Sequence, residues 1–247
     1  WTTLESTDTH TVQWGEAPDK LTSSAGGSES SYGWFGWQGR LHTARMSGLL
    51  PNASYFYRVG DAAGGFSEVG EFRTLAADVG GATPLRIGWV ADMGWGNNSQ
   101  GTMARLTELA SRGELDLLIH PGDIGYADGN MEGWDLFLRQ MEPIVSRVPY
   151  LVAPGNHEFL FDFAAYKHRF AMADDGEHKS MYYSLDVGAV HLLGTSTESI
   201  LDISHVSSAQ AKWIEDDLVA SKARANATKW RIVYGHRPLY CGQTHGQ

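Results

Sequence analysis

Cysteine is almost absent: the 247 residues include one, Cys241, so no disulfide can close within the chain. Cys241 is left either as an idle or buried thiol or as the partner of a cysteine elsewhere. Long apolar runs are missing too. No stretch of about 18 apolar residues occurs, which excludes a membrane-spanning helix. No leader segment is visible, but the chain opens at Trp1 within what reads as a β-rich region, and a processed or truncated start would remove one. Positive charge is scarce: 19 Lys and Arg face 29 Asp and Glu, a formal net charge of −10. Such a chain repels nucleic-acid phosphates, which argues against a DNA or RNA binder. A phosphate-bearing small molecule is not excluded, because bound cations reverse the potential inside a single pocket. Heptads and internal repeats are also lacking.

Apolar residues make up 42% of the chain, enough for a hydrophobic core and against disorder. Of only six asparagines, three stand in glycosylation sequons, at Asn52, Asn97 and Asn226. That share favours a secretory route and an extracellular or lumenal location.

The chain divides by pattern. Residues 1–76 read as β-rich, with strand-like runs at Thr11–Trp14 and Tyr55–Val59 between Gly, Ser, Asn and Pro clusters. The Gly/Ser-rich segment 23–31 reads as a loop. Leu49 to Tyr57 resembles the turn-then-strand entry of a fibronectin type III-like sandwich, in which a tyrosine packs at a corner between sheets. A linker with Gly80, Gly81 and Pro84 follows. Residues 85–247 then alternate short apolar runs (85–90, 115–119, 150–153, 230–234) with segments of helical periodicity. Met103, Leu106, Leu109 and Ala110 mark one helix, Trp134, Leu138, Met141 and Val145 a second, and Trp213, Ile214, Leu218 and Val219 a third. Residues 180–195 form two strands meeting near Gly188. This is an α/β (α+β) class, with buried strands in a mostly parallel or mixed sheet covered on both faces.

Polar residues stand directly after four of these strands: Asp92-Met93-Gly94, Gly122-Asp123-Ile124-Gly125-Tyr126, Gly155-Asn156-His157-Glu158 and Gly235-His236. In open α/β sheets ligands bind at the carboxyl ends of strands, so the four can converge. Carboxylate, imidazole, amide oxygen and phenolate suit iron, zinc or manganese rather than a thiolate site. Singly, each motif has a plain explanation: an Asp-x-Gly is usually a turn, and a tyrosine usually core. Their joint order, each at a strand end, argues for a metal site.

Together, Asp-x-Gly, Gly-Asp-x-x-Tyr, Gly-Asn-His-Glu and the later histidine resemble the calcineurin-like metallophosphoesterases, and Tyr126 narrows the resemblance to the purple acid phosphatases. The β-rich start resembles the fibronectin-like domain that precedes the catalytic domain in plant-type and related animal members. The fold implied is an N-terminal β-sandwich, 1–76, followed by a β-α-β metallophosphoesterase sandwich, 85–247. The resemblance implies that Asp92 and Tyr126 bind Fe(III) and Asp123 bridges two metals. Asn156 and His236 then bind a divalent Fe, Zn or Mn ion, and His157 faces a small phosphate-ester substrate. Glu158 would orient a neighbour or be a plain surface acid. Plant-type members also carry a histidine nine residues past the position of His236. His245 fits that offset, although Gly246 stands where those enzymes have a second histidine. The family completes its site with a Gly-His-x-His motif that this sequence does not contain. The expectation is that a following segment or another chain supplies it. The implied activity is acid phosphatase hydrolysis with metal-activated water. A phosphodiesterase or nucleotide pyrophosphatase of the same superfamily, or a non-catalytic binding protein on the same fold, remains the alternative.

Overall fold

The computed structural model describes residues 1–33, 36–173, 178–198, 206–224 and 228–238. Seven strands open the chain: β1 (Thr2–Thr3), β2 (Thr11–Gly15), β3 (Ser23–Ser30), β4 (Arg40–Ala44), β5 (Ser54–Asp61), β6 (Gly65–Phe66) and β7 (Gly70–Arg73). The Gly/Ser-rich segment expected to be a loop is therefore strand β3. It pairs with β2 through residues 23–26 and with β4 through 27–30, which makes hydrogen bonding continuous across all seven strands. Gly27 is required by close approach, because a Cβ there would run into the carbonyl of Thr43 on β4. Val12, Trp14 and Tyr55 form the small core of this part. The Leu50 backbone N–H donates to Tyr55 Oη at 2.9 Å, the corner contact expected from the sequence.

The rest contains β8 (Ile87–Trp89), α1 (Gln100–Ser111), β9 (Leu117–Pro121), α2 (Met131–Val145), β10 (Tyr150–Ala153), α3 (Leu160–Arg169), β11 (Tyr183–Val187), β12 (Val190–Gly194), α4 (Val206–Ala223) and β13 (Trp230–Tyr234). The strand pattern alone reads as one sheet covered on both faces, whereas this part has two three-stranded sheets packed together. One is parallel, ordered β10-β9-β8, and the other is mixed, ordered β11-β12-β13. Side-chain alternation explains the layering. Leu118 and Val152 point to a core shared with Met103 and Leu106 of α1 and Phe137, Met141 and Ile144 of α2. Their neighbours Leu117, Ile119 and Leu151 point the other way, into a second core with Tyr183, Val190, Leu192 and Tyr234. Helices α1 and α2 cover one face only, and the second sheet covers the other. α4 lies on the second sheet through Asp217, which accepts from Ser184 Oγ and contacts His191 Nε2, both at 2.7 Å.

The strand read as buried at 85–90 is half-buried instead. It is an edge strand, and Trp89 is 49% exposed. Segment 76–84 is packed: Val79 is buried, and its carbonyl accepts from Ala189 N–H at 2.9 Å. The β-rich start is tied to α2 and α3. Trp37 Nε1 donates to Asp135 at 2.9 Å, Tyr57 Oη to the Ser146 carbonyl at 3.0 Å, and Arg169 Nε to Tyr32 Oη at 2.8 Å.

Candidate metal centre

Parallel pairing continues past the strand ends and sets the first two loops side by side. Val90 N–H donates to Ile119 O at 3.0 Å and Gly94 N–H to Ile124 O at 3.0 Å. Asp92, Asp123, Tyr126 and Asp128 all take left-handed backbone conformations, with φ of 54°, 49°, 46° and 44°. Aspartate tolerates this region, but for tyrosine it is costly, and such strain gathers where a side chain must be aimed. Two glycines let the loops close. A Cβ on Gly155 would strike the Asp123 backbone nitrogen and Oδ1, and one on Gly122, at φ +84°, would lie 2.5 Å from the His236 side chain.

The five expected ligand residues come together. One ligand atom each from Asp92, Asp123 and His236 lies within 4.8 Å of the others. His236 Nε2 is 3.4 Å from Asp123 Oδ1 and 3.2 Å from Asn156 Oδ1. Tyr126 Oη donates to Asp92 Oδ1 at 3.1 Å. Tautomer logic tests whether these atoms suit a cation. His236 Nδ1 faces the carbonyl of Pro121 at 3.2 Å, and a carbonyl only accepts, so Nδ1 carries the proton. Nε2, the nitrogen left to act as a ligand, is turned to the same space as the oxygens of Asp123 and Asn156. A nitrogen and two oxygens gathered at these distances form a donor set that a cation can bind, and an imidazole held by a backbone carbonyl is a common support for a metal ligand. The donor set fits a metal pair. The Tyr126 phenol has its pKa raised, first by burial and then by the Asp123 and Asp92 carboxylates, so it keeps its proton until a cation replaces it.

His157 stands beside this group. Its backbone N–H donates to Asp123 Oδ1 at 3.0 Å, its ring lies 4.4 Å from the Tyr126 ring, and its Nε2 is 3.8 Å from Asp123 Oδ2. Its Nδ1 is 2.6 Å from Asp128 Oδ1. Burial disfavours the charged ring, but the Asp128 hydrogen bond and the charges of Asp123, Asp128 and Glu158 outweigh it and hold the pKa above the usual imidazole value. Sequence reasoning missed Asp128. Its position two residues past Tyr126, in the same loop, was the available signal.

Glu158 is no surface acid. It is 3% exposed, and its carboxylate accepts from three backbone N–H groups: Asp123 at 2.9 Å, Ile124 at 3.0 Å and Gly155 at 2.8 Å. Burial pushes its pKa up to about 7 against the pull of those donors. It staples the loop after β9 to the loop after β10. The loop after β13 is held by Arg237, whose Nε and Nη2 reach the fully buried Glu198 at 2.8–3.0 Å. His245 and Cys241 lie outside the described residues.

The chain matches known proteins. Residues 85–247 match the family model for calcineurin-like phosphoesterases, and residues 1–74 match that for the purple acid phosphatase N-terminal domain. The chain belongs to the calcineurin-like phosphoesterases, and within them to the purple acid phosphatases. Human acid phosphatase type 7 is 34% identical over 206 residues, 81% of this chain and 45% of that protein. Purple acid phosphatase 22 of Arabidopsis thaliana is 32% identical over 241 residues, 93% of this chain and 51% of its own length. The structure of a purple acid phosphatase from yellow lupin seeds superposes with a TM-score of 0.74 at 24% identity, covering 93% of this chain and 46% of that one. The likeness to the lupin structure speaks for the fold. The chain thus spans about half the length of the curated relatives it matches. A binuclear metal centre goes with the family.

Proposed function

We propose that these loops form the site of an acid phosphatase that hydrolyses small phosphate monoesters at an Fe(III)–M(II) centre, with M iron, zinc or manganese. The convergence of acceptors from Asp92, Asp123, Asn156 and His236 carries this reading. Asp92 and Tyr126 would hold the ferric ion, Asp123 would be shared, and Asn156 and His236 would hold the divalent ion. Two anionic ligands suit a trivalent ion, and two neutral ones leave the other ion more electrophilic. When bound, the metal pair neutralises phosphate oxygens and lowers the pKa of water.

The chain's own residues complete the reaction. Water oxygen bonds to phosphorus as the bond from phosphorus to the leaving oxygen breaks, and His157 delivers a proton to that leaving oxygen. Asp128, fixed on Nδ1, holds the ring so that Nε2 faces the substrate side of Asp123. This proton delivery is typically a 10²–10⁴-fold effect. His157→Ala should therefore lower kcat by about that factor with metal content retained. Unchanged turnover would remove His157 from the reaction.

The reading includes a β-rich domain at 1–76 preceding a catalytic domain at 85–247, in a secreted glycoprotein. Among the described residues, Asn52 and Asn97 are exposed, as glycan acceptors must be. Asn226, the third sequon, lies outside them. No described helix is long and apolar enough to cross a membrane.

A further inference from the structure

A second gathering of metal-type donors lies in the N-terminal sheet, built from residues that no motif links. Glu29 on β3 and His42 on β4 are direct cross-strand partners, so their side chains leave the same face of the sheet. His10, just ahead of β2, joins them. One ligand atom each of His10, Glu29 and His42 lies within 4.8 Å of the other two. The Nδ1 atoms of the two histidines are 3.1 Å apart. Two nitrogens bound to one tetrahedral zinc at ~2.05 Å stand roughly 3.3 Å apart.

Hydrogen bonding fixes which atoms carry protons. Thr3 Oγ1 gives its proton to the Glu5 carbonyl at 2.5 Å, so towards His42 Nε2, at 2.8 Å, it can only accept. Nε2 therefore holds the His42 proton, and Nδ1 turns a lone pair into the cluster. Thr7 Oγ1 likewise gives its proton to the Thr9 carbonyl at 2.9 Å and can only accept from His10 Nδ1 at 3.2 Å. Without a cation, one proton on His10 Nδ1 is shared between Thr7 Oγ1 and His42 Nδ1. A metal ion takes the place of that proton on Nδ1, and the neutral His10 ring then carries its proton on Nε2. Glu29 is held for the third position. Both its oxygens lie 3.0 Å from Ser6 Oγ, the Thr7 N–H reaches Oε2 at 3.3 Å, and Arg40 Nε stands 3.7 Å from Oε1. His42 is buried, while His10 and Glu29 are half-buried, which leaves a way in from solvent.

We propose that His10 Nδ1, His42 Nδ1 and the Glu29 carboxylate form a binding site for one divalent transition-metal ion of the zinc type. Two imidazoles and a carboxylate are the ligands such ions prefer, and a three-ligand set leaves a fourth position for water or an outside ligand. The ion would cross-link β3, β4 and the entry to β2. The site is independent of the proposed phosphatase centre.

The test counts ions. The protein is stripped with chelator and dialysed against Zn2+, and bound metal per chain is measured for wild type, His10→Gln and Glu29→Gln. Each variant is expected to hold one ion fewer at limiting zinc, with at least about tenfold weaker zinc affinity for the lost ion and unchanged phosphatase turnover. In an Asp92→Asn/Asp123→Asn background, Zn2+ should still raise Tm, and His10→Gln should abolish that rise. Equal metal content in wild type and both variants would overturn the proposal and leave a hydrogen-bonded histidine pair.

Discussion

Replacing Glu158 by glutamine keeps the volume of a buried side chain while removing its charge and one acceptor. Oε2 takes two backbone N–H groups, from Asp123 and Gly155, and Oε1 takes one, from Ile124. The new amide nitrogen will settle where it loses least, at the Oε1 position facing the Ile124 N–H. One buried donor then faces another, which costs about 1–3 kcal/mol. The two remaining bonds lose their charge assistance, but the neutral amide is also spared the burial cost that raises the Glu158 pKa, so charge removal adds no further loss. The expected loss is about 1–3 kcal/mol, a sizeable fraction of a typical domain's stability. Denaturant unfolding followed by tryptophan fluorescence measures it. Glu132→Gln, at an exposed position on α2, serves as the control. Metal content should fall along with stability, because the stapled backbone is that of Asp123 and Gly155. A loss below about 0.5 kcal/mol with full metal content would refute the staple, since a buried Ile124 N–H left without an acceptor cannot go unnoticed.

Gly155→Ala should be as damaging without touching any charge, because its Cβ would occupy the place of the Asp123 backbone nitrogen and Oδ1; metal analysis should show reduced loading, and normal loading would mean that the loop shifts freely. His120 supplies a pH prediction. It is fully buried, with Nδ1 2.7 Å from Tyr150 Oη, and burial, helped by the nearby His236, lowers its pKa to about 3. The unfolded chain takes up this proton near pH 6.5 and the folded chain only near 3, so the contribution is intact above 6.5 and erodes as pH falls through that window. The slope is up to about 1.4 kcal/mol per pH unit. Unfolding free energies at pH 7 and 5.5 should therefore differ more for the wild type than for His120→Gln, and equal differences would contradict the assignment.

Much of the site was legible because its logic is local. A glycine, a ligand and a strand end recur four times, and parallel strands bring such ends together whatever happens elsewhere. Asp92, Asp123, Tyr126 and Asn156 needed only the order of neighbouring strands to meet, whereas His236 joins them from the second sheet. What escaped the sequence depends on contacts between distant segments. Strand β3 looks like a loop because glycine and serine fill it, yet Gly27 is required by the approach of Thr43 on the neighbouring strand. Helix α3 buries Phe163 and Tyr166, but residues 161–163 take a left-handed turn that interrupts the helical periodicity. The division into two sheets was hidden because a run such as Leu117–Leu118–Ile119 is apolar on both faces, and only tertiary packing decides what each face meets. Asp128 and Glu158 matter through partners in other loops or through backbone atoms, which no side-chain motif encodes. His10, Glu29 and His42 are joined only by strand register.

The most direct test of the metal centre is a metal count on the purified protein with and without Asp123→Asn. The account predicts two ions per chain at the phosphatase centre, one of them iron, a visible absorption band that disappears in Tyr126→Phe, and loss of both ions in Asp123→Asn. Metal content unaffected by Asp123→Asn, or a wild-type protein with neither iron nor colour, would contradict it.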